Sequence, residues 1–137
     1  MSAAAQSAVT IPNDTSAGLE VQERIVGLLE ERGYPMKDVF SVRLALEEAL
    51  INAIKHGNQM DPNKSVEISW EVTDSTVRVS IEDQGRGFDP STLPDPTLEE
   101  NLERSSGRGV MLIHHYMTSV GYNDRGNRIT MIKERSE

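Results

Sequence analysis

Two neighbouring stretches of the chain alternate with a period of two. Val66, Ile68, Trp70 and Val72 stand at every second position, with Glu67, Ser69 and Glu71 between them. After Thr73-Asp74-Ser75, Val77, Val79 and Ile81 alternate in the same way with Arg78, Ser80 and Glu82. Strands of this kind bury one face and leave the other to solvent. The pattern predicts a sheet covered by helices on one side only, a two-layer α/β (α+β) sandwich.

The helices to cover it lie upstream. Ser16 is placed to cap a helix over about 18–31, with Leu19, Ile25, Val26 and Leu29 on its inner face and Gly33-Tyr34-Pro35 as the break. Asp38 is placed to cap a second helix, in which Val39, Val42, Leu46, Ala49, Leu50, Ala53 and Ile54 recur with helical spacing. His56-Gly57-Asn58 ends it, with Gly57 suited to a left-handed closing position. Residues 1–8 read as a disordered tail and Val9-Thr10-Ile11 as a short edge strand stopped by Pro12. Residues 9–137 then form a single domain. Residues 84–107 carry three of the six prolines and read as a loop, with a short helix near Thr97–Glu103 and a lid over about 88–106. A third helix is expected from Arg108 to about Met117. A hairpin of Ser119–Tyr122 and Arg128–Lys133, turning through residues 123–127, closes the chain.

Composition narrows the function. The 137 residues suit one domain, and 36% hydrophobic content supports a packed core. With 14 basic against 22 acidic residues, the net charge is −8. That balance argues against nucleic acid and against anionic lipid as partners. The absence of Cys excludes disulfides, thiol catalysis and cysteine-ligated metals. No stretch reads as a secretory signal or a membrane span, so a soluble, cytoplasmic protein is expected.

Three segments carry chemistry. Glu48, Asn52 and His56 are four apart and line one flank of the second helix. A carboxylate there can deprotonate a hydroxyl, and an amide oxygen is a hard ligand suited to Mg²⁺. Asp83-Gln84-Gly85-Arg86-Gly87 follows a strand directly. Its Asp can accept from an exocyclic amine, and its glycines let backbone approach a flat ring. Ser105-Ser106-Gly107-Arg108-Gly109-Val110 leads into a helix, where unpaired N–H groups bind phosphate; Arg104 and Arg108 add positive charge. Each alone also reads as an ordinary solvated flank, turn or hinge. Together they supply a metal holder, an adenine reader and a phosphate cradle.

In that order the segments resemble the GHKL ATP-binding superfamily, which includes gyrase, Hsp90, histidine-kinase catalytic domains and MutL. The chain looks most like the small bacterial anti-sigma-factor serine/threonine kinases, over about residues 9–134. Glu48 to Gly57 matches the pattern E-x-x-x-N-x-x-x-H-G, Asp83 to Gly87 matches D-x-G-x-G, and Gly107-Arg108-Gly109 matches the later glycine box. The resemblance implies a mixed, mainly antiparallel sheet with helices on one face, and ATP and Mg²⁺ as cofactors. It implies Glu48 as catalytic base and Asn52 as the Mg²⁺ ligand. Asp83 would bind the adenine amine in a pocket shaped by Gly85 and Gly87, and His56 belongs to the same nucleotide-binding box. Gly107, Arg108 and Gly109 would meet the phosphates, with Arg104 at the terminal one. It implies a STAS-type anti-anti-sigma protein as phosphoacceptor and a sigma factor as the sequestered partner. A homodimer through the polar sheet face or the first helix is left open. The alternatives are a nucleotide-gated binding module without turnover, and a switch kinase acting on another regulator without holding sigma. Two positions depart from the family pattern: Met117-Thr118-Ser119-Val120 replaces an acidic pair, and Gly126-Asn127 replaces Gly-Thr.

Overall fold

The computed structural model describes residues 4–85 and 112–136. Five strands form one sheet in the order β1-β2-β3-β5-β4: Ala5–Pro12, Ser65–Val72, Thr76–Glu82, Arg128–Glu134 and Ser119–Tyr122 respectively. Every pairing is antiparallel, so the expectation of a mixed sheet is corrected to a fully antiparallel one among the described residues. Local connections account for two of these four pairings. β2 and β3 are joined by a tight turn, as are β4 and β5, and such turns reverse the chain.

The apolar alternation lands as read. Val66, Ile68, Trp70, Val72, Val77, Val79, Ile81 and Met131 are all buried. Two helices cover this face: α1 (Thr15–Glu31) over β1 and β2, and α2 (Met36–Ile51) along α1 and against β5. Ile25, Val26 and Leu29 of α1 meet Val42, Leu46 and Leu50 of α2 in the same core. The Arg24 guanidinium sits 5.1 Å from the centre of the Trp70 ring, closing the edge of that core with a cation–π contact. The opposite face carries Glu67, Glu71, Arg78 and Glu82.

Four local expectations are corrected. Residues 5–8, read as tail, pair with β2 from Ala5↔Val72 to Ala8↔Ser69; the long β2 offers its whole edge, and ladder hydrogen bonds override a weak Ala/Ser propensity. Helix α1 starts earlier, at Thr15, with Asp14 rather than Ser16 as its cap: Asp14 accepts from the Ser16 N–H at 2.9 Å. That phase turns Val21, Ile25, Val26 and Leu29 inward and leaves Leu19 56% exposed. Asp38 lies inside the first turn of α2, which Pro35 opens. Its buried carboxylate instead accepts from the Ser136 N–H at 2.8 Å and the Ser136 hydroxyl at 2.6 Å, with Lys133 at 3.9 Å. This ties the C-terminal strand to the start of the helix that carries the site. Gly57 is not left-handed; the left-handed residues after the helix are Gln59 and Met60. The reason is that α2 loosens into a π-helical turn, Asn52–Gly57, before the chain leaves it.

The closing hairpin forms as expected, with β5 one residue longer at Glu134. Residues 112–116 are helical, in keeping with the expected third helix. Its start, the lid and the short helix at 97–103 lie outside the described residues.

Candidate functional site

The site is built where the end of α2 meets the end of β3. Glu48 and Asn52 are both half-buried and one turn apart, the Asn52 N–H donating to the Glu48 carbonyl. Their side chains make no hydrogen bond or ion pair with another described residue. The helix widens to a π turn at Asn52 itself. Such turns are uncommon and concentrate at functional sites. The wider turn shifts His56 from the α-helical register read in the sequence, and His56 is exposed.

Asp83 follows the last residue of β3. Its backbone N–H donates to the Asn127 carbonyl at 2.9 Å, and its Oδ1 accepts from the Gly85 N–H at 2.8 Å. Two glycines make room for the carboxylate. A β-carbon on Gly57 would overlap the Asp83 carboxylate, and one on Gly85 would overlap the Gly57 carbonyl. The helix end and the strand end therefore touch through backbone, with the Asp83 carboxylate packed between them. Burial pushes the Asp83 carboxyl above its ordinary 3.8; the Gly85 N–H, Lys64 and Arg125 pull it back in part. A partly desolvated carboxylate of this kind is a strong hydrogen-bond acceptor.

Several residues that hold this loop were not singled out in the sequence. Asn58 is fully buried; its Oδ1 accepts from the Gln84 N–H at 2.7 Å, and its Nδ2 donates to Asn13 Oδ1 at 3.2 Å and the Ser65 carbonyl at 2.9 Å. Arg125 reaches the Gly85 carbonyl at 3.3 Å. Nothing in the periodicity marks them, because a polar residue next to Gly reads as an ordinary turn. Asn127 was visible only as a departure from Gly-Thr.

The structure thus brings Gly57, Asp83 and Gly85 together, with Gly57 five residues beyond Asn52 and nine beyond Glu48 on the same helix. Gly87, Arg104, Gly107, Arg108 and Gly109 lie outside the described residues. Among the described residues no group of three or more His, Cys, Asp or Glu side chains could hold a metal. An ion held by one amide and completed by phosphates and water needs no such group.

A five-stranded antiparallel sheet, backed on one face by helices, with an E-x-x-x-N helix ending on a strand-end Asp, defines a histidine kinase-like ATPase domain. The family model for that domain matches residues 11–133. The chain belongs to this family, and within it to the group of RsbW-like serine-protein kinases and anti-sigma factors. It is 30% identical over 115 residues to the serine-protein kinase RsbW of Staphylococcus epidermidis, covering 78% of this chain and 72% of that one. It is 32% identical over 100 residues to the anti-sigma F factor of a Geobacillus strain, covering 71% and 68%. The fold matches a crystal structure of the RsbU and RsbW domains of a Mycobacterium tuberculosis protein with a TM-score of 0.64 at 18% identity; the match covers 96% of this chain and 32% of that one. No described helix is long and apolar enough to cross a membrane.

Proposed function

We propose that the chain is a Mg²⁺- and ATP-dependent protein serine/threonine kinase that also acts as an anti-sigma factor. Its phosphoacceptor would be a serine or threonine on a STAS-type anti-anti-sigma protein, and its sequestered partner a sigma factor. The observation that carries the nucleotide part is the packing of the Gly57 backbone onto the Asp83 carboxylate, at the end of the helix that carries Glu48 and Asn52. The names of the relatives support the kinase and anti-sigma parts.

ATP supplies a transferable γ-phosphoryl group. Asp83 accepts a hydrogen bond from the adenine amine, and the missing β-carbons of Gly57 and Gly85 let the helix end and the strand end close around its carboxylate. The Asn52 amide oxygen offers one hard ligand to Mg²⁺. Glu48, half-buried and one turn away, orients the acceptor hydroxyl and takes its proton. Gly107, Arg108 and Gly109 would meet the phosphates through helix-start N–H groups, and Arg104 would stabilise charge at the terminal phosphate.

Calorimetric titration with ATP and ADP, with and without Mg²⁺, tests the nucleotide part. Mg²⁺-sensitive binding that is lost in Asp83→Asn supports it. A folded protein that binds neither nucleotide would remove it.

A further inference from the structure

We infer that Asn127 is a positioning residue for Asp83, its side-chain amide replacing a missing rung of the β3–β5 ladder. The inference rests on the reading of Asp83 as the residue that accepts the adenine amine.

β3 and β5 pair regularly as far as Glu82↔Arg128. One step further, Asp83 lies opposite Asn127, and the Asp83 N–H donates to the Asn127 carbonyl at 2.9 Å. A hydrogen-bonded antiparallel pair exchanges two bonds, so the return bond should run from the Asn127 N–H to the Asp83 carbonyl. That donor is taken: the Asn127 N–H points to Asn123 Oδ1 at 3.1 Å. The same oxygen accepts from the Gly126 and Arg128 N–H groups at 2.8 and 3.2 Å, which closes the hairpin turn. The turn therefore leaves the ladder one donor short at Asp83.

Asn127 supplies it from its own side chain. Its Nδ2 donates to the Asp83 carbonyl at 2.9 Å, while its Oδ1 accepts from Asn123 Nδ2 at 2.9 Å. The second bond fixes which end of the amide faces Asp83. Asn127 is only 8% exposed, so water does not compete freely for these contacts. On the far side of Asp83, the Gln84 N–H is held by the buried Asn58 at 2.7 Å. Both peptide groups flanking the Asp83 side chain are thus fixed by asparagines from two different elements, the hairpin and the helix end. A carboxylate that must meet one amine gains from a fixed origin, since small displacements weaken a directional hydrogen bond steeply. The need for a donor and an acceptor on a short planar group explains why Asn stands at 127.

Asn127→Asp tests this with shape preserved and the donor removed. Binding of ATP is compared with that of purine riboside triphosphate, which lacks the 6-amino group. The expected result is a loss of about tenfold for ATP with less than about a twofold change for the analogue. Asn123→Asp is the second variant, for the case that the first does not fold. It keeps the turn's acceptor oxygen but reverses the Asn127 amide, and the same selective loss is expected. Equal losses for both nucleotides, or no loss, overturn the positioning role while nucleotide binding stands. A wild-type protein that does not distinguish the two nucleotides overturns the reading of Asp83 itself, and the positioning role with it.

Discussion

The Asp83 carboxylate occupies the space that a β-carbon on Gly57 would need, with Oδ1 2.8 Å from that position. One residue ends the helix that carries Glu48 and Asn52; the other directly follows β3. Their contact aligns two halves of a site that are 26 residues apart in sequence. Gly57→Ala should therefore disturb both. We expect a loss of about 1–3 kcal/mol in unfolding free energy from overpacking and a larger loss of nucleotide affinity. Urea denaturation and calorimetry on the same preparation measure the two effects.

Asp83→Asn should separate binding from stability. Burial raises the Asp83 pKa above its ordinary 3.8, so the folded state prefers the protonated carboxyl. The stability this group contributes is present below the unfolded pKa and is lost as pH rises through the folded one. At neutral pH the folded protein carries a charge it has partly desolvated, and Asn removes that cost while keeping an oxygen for the Gly85 N–H. The variant should be at least as stable as wild type at pH 7, its relative advantage shrinking as pH falls towards 3.8. Thermal melts of both proteins across pH check this. A variant clearly less stable at pH 7 contradicts it.

Asp38 makes a different kind of contribution. It is 1% exposed and accepts two hydrogen bonds from Ser136. Asp38→Ala leaves those donors unmatched and loosens the C-terminal strand from the start of α2. We expect a destabilisation of about 2–4 kcal/mol, read from urea midpoints. Nucleotide affinity should change little, because the contact lies at the opposite end of α2 from Asn52.

Glu48→Gln should retain nucleotide binding, since the side chain is assigned to the acceptor hydroxyl. Phosphoryl transfer should fall by about 10²- to 10⁴-fold, the usual contribution of a general base. Single-turnover assays with saturating nucleotide would detect the difference.

The elements of the fold were readable where one physical signal dominated. The alternation of Val66 to Ile81 fixed the buried face of β2 and β3, and Tyr122 and Arg128 bounded the last hairpin as expected. The misses came where tertiary contacts outweighed local signals. Leu19 looked like a core residue until the Asp14 cap set the helix phase, and Asp38 looked like a cap although its partner, Ser136, is distant in sequence. At the candidate site, Glu48, Asn52 and Asp83 were singled out as candidates from spacing and family resemblance. Asn58 and Asn127 were not, because what they do depends on backbone groups supplied by other strands. The role of Gly57 was misread for the same reason: its missing β-carbon makes room for Asp83 and does not serve a left-handed turn.

Phosphoryl transfer to a protein serine is the central claim. The most direct measurement incubates the purified chain with Mg²⁺-ATP and a candidate STAS-type protein, followed by intact-mass analysis and site mapping of that protein. The expected result is one phosphate on a single serine or threonine, absent when Glu48→Gln replaces wild type. Bound nucleotide without transfer to any STAS-type candidate, or undiminished transfer by Glu48→Gln, would contradict the account.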